Sequence, residues 1–343
     1  MKYFIDIARF VDESGKSKSL EKEFIRTSFG NALAELGDQE NFVVLGADLD
    51  SSTKTIKFRQ KFGEYGKEPF GQKGRWVSCG VSEAFMCAAA GGFAAREIKP
   101  VITTFARFLE RGYEPLLQSV VIPGLDAFVL GSHGGIATGQ DGASAQAIED
   151  VAFFRAMHNV TVIAPGDPVE TVQATKAAFR QSGLVYMRLS RNQFPNLFGP
   201  DYAFKIGEGV ELIPGEEITL VTTGETTLQA IMAIAKLQKR GLKPRLIHMP
   251  TIQPPDQMIL ADAAKNSELF ITIEDHSPRG GLGDAVLEAL SMANAPRRVV
   301  KLGVDLYAES GTPADLYKKY GLDADGIAAK TLAAVETQAA RHP

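Results

Sequence analysis

Short runs that are apolar at nearly every position alternate with helix-length stretches along almost the whole chain, and no other feature narrows the fold so far. FVVLGAD (42–48), WVSCG, PVITTF, DAFVLG and VTVIAP recur in the first half, separated by stretches such as SEAFMCAAAGGFAAR and AIEDVAFFRAM. A strand without a polar face is buried on both sides, and an intervening helix supplies the crossover that parallel pairing needs. The cycle restarts with EITLVTTG, TTLQAIMAIAKLQKRG, PRLIHMP, LFITIED, GGLGDAVLEALSMAN and RVVKLGV. The expected class is therefore α/β, with two doubly wound domains, which 343 residues accommodate. Residues 1–20 read as a polar, turn-rich N-terminal extension. The first domain is expected over 21–195, a proline-containing linker over 196–215, and the second domain over 216–343. The first helix is expected to begin at Lys22 and to stop at Gly37 and Asp38.

Charge and composition exclude several function classes. Lysine plus arginine number 37 and aspartate plus glutamate 41, a net charge of −4 that makes no footprint for nucleic acid or an anionic membrane. No run approaches the ~18 consecutive apolar residues that span a bilayer. Asp6 and Arg9 interrupt the apolar N-terminus MKYFIDIARF, so no signal peptide is expected. Two cysteines, Cys79 and Cys87, fit a reducing, cytoplasmic setting with no disulfide framework or zinc site.

Ligands of parallel sheets gather outside the carboxyl ends of the strands, which directs attention to ADLDSST, GVSE, TFARF, GSHGGIATGQDG and LSRNQ. GSHGGIATGQDG holds Gly131, Gly134, Gly135, Gly139 and Gly142 around His133 and Asp141. It is either a loop whose backbone approaches a ligand or a tight connection in which His133 and Asp141 cap turns. Ser82 is a candidate N-cap, and Glu83 in the first helical turn suits the helix dipole first and a ligand only second. Phe105, Phe108 and Arg111 fall at helical spacing, as core residues or as an aromatic ligand wall. Phosphate-loop, dinucleotide, zinc and serine-hydrolase signatures are absent, GGLGDAV lacking the third glycine of a dinucleotide fingerprint. Residue patterns alone stop at two α/β domains with a glycine-rich, polar ligand edge. His158, His248 and His276 are expected to be structural hydrogen-bonding histidines.

RTSFGNALAELG, LGADLDSST, GVSEAFMCAAAGGFAA, TTFARFLERGYEPL, SHGGIATGQDGASAQAIED, MRLSRNQ and IEDHSPRGGLGDAVLEAL, in this order from about Phe24 onward, resemble the C-terminal half of transketolases. The resemblance implies a thiamine-diphosphate-binding, pyrimidine-type domain followed by a transketolase C-terminal-like domain. The diphosphate-binding domain of that family carries GDG and a downstream asparagine, which hold Mg2+ or another divalent cation; this sequence contains no GDG. The implied protein is the C-terminal subunit of a split transketolase, active only with an N-terminal subunit that carries the diphosphate and metal site, the two assembling as a heterotetramer. Its implied reaction moves a two-carbon ketol unit between sugar phosphates.

Residue by residue, the resemblance makes Glu83 the catalytic carboxylate that hydrogen-bonds N1′ of the aminopyrimidine. It places Phe105, Phe108 and Arg111 around that ring and Asp48 and Leu49 beside the cofactor. Arg26, Ser52, His133 and Arg191 match the grip on a terminal phosphate, and Asp141 matches the aspartate that senses the donor's hydroxyl configuration. Ala145 departs from the family, standing where relatives carry histidine or glutamine, and Thr138 and Gln140 also differ. Two rivals share the architecture: the β subunit of a 2-oxo acid dehydrogenase, whose substrate carries no sugar phosphate, and an inactive scaffold, which Ala145 suggests.

Overall fold

The computed structural model describes residues 1–12 and 16–340, so residues 13–15 of the expected extension lie outside the described residues. In chain order the first strands are β1 (Glu23–Phe24), β2 (Val43–Gly46), β3 (Trp76–Ser78), β4 (Pro100–Phe105), β5 (Ala127–Ser132), β6 (Val160–Ile163), β7 (Leu184–Leu189) and β8 (Gln193–Phe194). Six of them form a parallel array in the order β3-β2-β4-β5-β7-β6, while β1 and β8 pair antiparallel with each other. Every residue of β2, β4, β5, β6 and β7 is buried, which is why these runs lack a polar face. The chain starts at β2, steps to β3 on one side, then crosses to β4 on the other. Loops leaving β2 and β4 therefore diverge and open a crevice at the carboxyl ends of that pair.

The first helix begins later than expected, at Ile25, and runs through Gly37 and Asp38 to Gln39. Gly37 does not stop it. A Cβ at that position would lie 2.3 Å from the Phe62 ring, so glycine there allows close packing of the helix Ile56–Phe62.

The second half contributes β9 (Val210–Ile213), β10 (Glu217–Thr222), β11 (Arg245–His248), β12 (Thr251–Gln253), β13 (Ser267–Ile273) and β14 (Arg298–Leu302). Five of these form a sheet in the order β14-β13-β10-β11-β9, parallel except for the edge strand β9. β12 instead joins the first sheet, antiparallel to β6, so the two halves share a strand connection. A second reversal of strand order falls between β10 and β13, with its own crevice at their carboxyl ends.

Two segments differ from their sequence reading. β9 lies inside the expected linker, and Phe194, Leu197, Phe198, Tyr202 and Phe204 around it are buried. Their apolar side chains fill the junction between the sheets. The N-terminal residues are likewise built in: Tyr3 and Ile5 donate their amides to Glu211 and Leu212 at 3.0 Å each, and Phe10 and Val11 are buried. This covers the exposed edge of β9, which would otherwise present unpaired backbone groups.

Candidate functional site

Most of the residues singled out in the sequence converge on the crevice between β2 and β4. Glu83 opens the helix Glu83–Ala94 and is 3% exposed. Ser82 occupies the N-cap position, but its side chain makes no capping bond, contrary to expectation. Among the described residues, the one hydrogen bond Glu83 receives is from Arg111 Nη1 to Oε2, at a long 3.3 Å. Oε1 is left for an external donor.

Phe105 is the last residue of β4 and not part of a helix. The chain then tightens into a 3-10 turn over Phe108–Gly112. With three residues per turn, Phe108 and Arg111 eclipse one another, and the guanidinium carbon of Arg111 sits 5.4 Å from the Phe108 ring centroid. Phe108 stacks on Phe105 at 5.3 Å and 19°, and Phe105 also stacks on the His133 ring at 3.7 Å and 25°. Arg111 itself is largely exposed, held at the rim by Glu83. A buried carboxylate with a free oxygen beside a stacked phenylalanine pair fits an aminopyrimidine ring, which offers a flat apolar face and a nitrogen at its edge.

His133 leads on to a cationic group. Its backbone is left-handed, with φ +59°, as is that of Asp48 at the end of the neighbouring strand loop, also +59°. Non-glycine residues held there are strained, and such strain concentrates at sites where a side chain must be aimed. His133 Nδ1 shares a 2.8 Å hydrogen bond with the Ser132 hydroxyl, leaving Nε2 on the other edge of the ring. Burial, and then the charges of Arg26 and Arg191, push the imidazole down to about 3. It is neutral across the physiological range.

Arg26 is buried and donates from Nη1 to the Ser52 carbonyl at 2.5 Å and from Nη2 to the Arg191 carbonyl at 3.2 Å. Its Nε is buried with no acceptor, and no carboxylate among the described residues lies within ion-pair distance of it. Burial, followed by repulsion from Arg191, lowers its pKa to about 10, so it stays charged. A buried cation lacking a counter-charge is unfavourable unless an anion joins it. Arg191 donates through Nη1 to the Thr138 carbonyl at 2.7 Å and to Asp141 Oδ1 at 2.9 Å, bringing Asp141 into the group. Ser52 meets Arg26 through its backbone carbonyl, and its hydroxyl has no hydrogen-bond partner among the described residues. Leu49, half-buried, and exposed Asp48 occupy the loop after β2.

Ala145 is buried, and Gln146 does not replace the missing polar group. Its amide donates to the carbonyls of Gly139 and Glu309, at 3.0 and 3.3 Å, and so faces the second half of the chain. His248 and His276 are buried and hydrogen-bonded, whereas His158 lies exposed in a turn, unlike the structural role expected of it. Sequence reasoning passed over Arg188 and Asp275, which grip the glycine-rich loop from behind. Their one legible signal was position: Asp275 follows the carboxyl end of a strand. Among the described residues no group of three or more His, Cys, Asp or Glu is arranged to hold a metal ion.

Comparison with known proteins agrees with the two-domain architecture. The family model for the transketolase pyrimidine-binding domain matches residues 23–196, and that for the transketolase C-terminal domain matches residues 207–327. A Methanocaldococcus jannaschii protein provisionally named as a transketolase C-terminal section is 34% identical over 313 residues, covering 90% of this chain and 95% of that protein. Human transketolase is 30% identical over 90% of this chain, which spans 48% of the human protein's length. Among solved structures, a split-gene transketolase described as an inactive β4 tetramer superposes with a TM-score of 0.79 at 35% identity, covering 90% of this chain and 97% of its own. Campylobacter jejuni transketolase shares the fold, with a TM-score of 0.76 at 21% identity over 96% of this chain and 49% of its own. The chain belongs to the transketolase family and carries its pyrimidine-binding domain followed by its C-terminal domain.

Proposed function

We propose that this chain is the C-terminal section of a two-part, thiamine-diphosphate-dependent transketolase, moving a two-carbon ketol unit from a ketose phosphate to an aldose phosphate. The observation that carries this reading is the track of contacts from Glu83 through Arg111, Phe108 and Phe105 to His133, and on through Thr138 to Arg191, which meets both Arg26 and Asp141. A wall for an aromatic cofactor and a basket for a phosphate thus share one crevice. A 2-oxo acid has no use for the basket.

Thiamine diphosphate supplies the electron sink that lets a carbon–carbon bond beside a carbonyl break. The residues of this chain bind and orient around it. Phe105 and Phe108 offer the face for its pyrimidine ring, an offset stack contributing roughly 0.5–1.5 kcal/mol beyond simple burial. Glu83 would hydrogen-bond the ring nitrogen through its carboxyl group. Arg26 and Arg191 bind the dianionic phosphate through charge-assisted hydrogen bonds. Neutral His133 adds a hydrogen bond from Nε2, and Asp141, fixed by Arg191, faces the sugar hydroxyls. Asp48 and Leu49 line the cofactor's flank.

The diphosphate and its Mg2+ are held by a separate N-terminal section in this reading, consistent with the two relatives of matching span. The assembly is a heterotetramer built on self-association of this chain, in the cytoplasm. An apolar strip supports the self-association: Ala84, Phe85, Ala88 and Gly92 of the helix Glu83–Ala94 are exposed, and the helix carries no charged residue after Glu83. Two free cysteines fit a reducing compartment, and no described helix is long and apolar enough to cross a membrane.

Reconstitution tests the proposal. Purified chain with thiamine diphosphate and Mg2+ is expected to show no ketol transfer until an N-terminal section is added, and Glu83→Gln is expected to lower the rate of the pair by about 10²–10⁴-fold. Robust turnover by this chain alone, or an undiminished rate for the variant, refutes it.

A further inference from the structure

The loop Gly134–Ala137 stands between the crevice residues and the second half of the chain, and side chains from both halves clamp its backbone. From the first half, Arg188 in β7 packs so closely that a Cβ on Gly134 would lie 2.4 Å from its Nε. The same guanidinium donates through Nη2 to the carbonyls of Ala147 and Asp275, at 3.0 and 2.7 Å, and through Nε to Asp150 at 2.9 Å. From the second half, the Asp275 carboxylate accepts the amide of Ile136 at 2.9 Å on Oδ1 and that of Ala137 at 3.2 Å on Oδ2. Its approach forces glycine at the preceding residue: a Cβ on Gly135, whose φ is +78°, would lie 2.0 Å from Asp275 Oδ2.

Both ends of this short segment reach the anion-binding group. His133 immediately precedes it, in a left-handed conformation that has to be held in place. Thr138 immediately follows; its hydroxyl donates to the His133 carbonyl at 2.7 Å, and its own carbonyl receives Arg191 at 2.7 Å. Asp275 lies at the carboxyl end of β13, in the crevice of the second sheet. Glu225, which follows β10 across that crevice, is within hydrogen-bonding reach of it and also accepts the Ser190 hydroxyl at 2.8 Å. Burial and the neighbouring Asp275 carboxyl push Glu225 well above the usual carboxylate range, so a proton on its otherwise unpartnered Oε1 completes the pair.

We propose that Asp275 is a positioning residue for phosphate binding: by fixing the amides of Ile136 and Ala137 it sets the His133 ring and the Thr138 carbonyl that aims Arg191. The strand-end crevice of the second domain then serves as the mounting point of the first domain's substrate loop. This rests on the anion-binding reading of the Arg26–His133–Arg191 group, and the test separates the two.

The experiment uses the full chain labelled with ¹³C-histidine, which contains five histidines, with the His133 resonance assigned from His133→Gln. Inorganic phosphate is the probe. Wild-type protein is expected to shift the His133 resonance on phosphate addition. Asp275→Asn keeps the shape but sets an NH2 group against one loop amide. It is expected to move the His133 resonance before any phosphate is added and to weaken phosphate binding about tenfold. Asp275→Ala should do both to a greater extent. His133 resonances that coincide with wild type in a folded Asp275→Asn protein, whatever its melting temperature, overturn the positioning role. If wild type shows no phosphate response, the anion-binding reading falls, and the position of the His133 resonance in Asp275→Asn alone decides whether Asp275 sets the loop.

Discussion

Single side chains show how burial tunes this site without any unusual chemistry. Arg26 and Arg191 lie near enough to repel, and the His133 imidazole, which would add a third positive charge beside them, is held uncharged. His133 binds a proton only near pH 3 in the folded chain, against about 6.5 when unfolded. The unfolded state therefore holds more protons between those values, so stability falls as pH drops from about 6.5 toward 3. The same shift predicts that a ¹³C-histidine titration finds the His133 resonance flat from pH 8 to about pH 5. A midpoint near 6.5 would show that the ring is solvated and that the cationic cluster is looser than described. Glu83, Phe105, Phe108 and the four residues of the anion group could be named from sequence only because their motifs resemble a family. Their composition alone was equally compatible with caps, turns and core.

Secondary-structure elements were legible where their burial pattern is simple. Strands buried on both faces announced themselves as continuous apolar runs: β2, β4 and β6 fall inside the runs expected and β5 overruns its run by one residue, whereas β7, equally buried, was not among the expected runs. Nor were β9 and β12, being edge strands of three or four residues whose pairing partner lies far along the chain or in the other sheet. The helix Pro168–Arg180 shows both outcomes at once. Asp167 followed by Pro168 with Glu170 three residues on is a readable helix start, and Asp167 does cap it, accepting the Glu170 amide at 2.7 Å. Its other oxygen, however, accepts the amides of Leu197 and Phe198 at 2.7 and 2.9 Å, stitching down the segment that reads as a linker. Burial, then the charge of Glu170, raises the Asp167 carboxyl to about 7. Since the native state holds the extra proton between about pH 4 and 7, this residue's contribution weakens as pH rises through that window. Asp167→Ala removes a cap and strands two buried amides, an expected loss of about 2–5 kcal/mol in urea unfolding at pH 6. A loss under about 0.5 kcal/mol would mean the segment is held by its apolar contacts alone.

Over the whole molecule, the two halves are not beads on a string. β12 crosses into the first sheet, the N-terminal residues cover β9, and Asp275 reaches the loop that bears His133. Beside Glu83 lies an apolar surface that the chain itself does not cover. Phe85 is 58% exposed on a helix whose exposed face is otherwise alanine and glycine, and Val81, in the bend just before that helix, is 77% exposed. Full burial of such a phenylalanine is worth roughly 1.5–3 kcal/mol, and a contiguous apolar patch of this kind marks an interface. Phe85→Glu is expected to leave the melting temperature nearly unchanged, because the side chain has few contacts within the chain. Sedimentation velocity should show it as smaller species than wild type. Identical sedimentation of the two proteins would assign that face to something other than self-association.

By itself the sequence determined the class of the fold, since alternation of doubly buried strands with helices leaves little besides parallel sheets. Through its resemblance to transketolases it also indicated which residues to watch. Only the tertiary structure decided how those residues meet. The convergence of positions 26, 133, 191 and 275 depends on strand order, which follows from the packing of long-range crossovers and leaves no local pattern in the chain. For the same reason a carboxylate in the second domain could be recognised as a holder of the first domain's loop only after both sheets had been laid side by side.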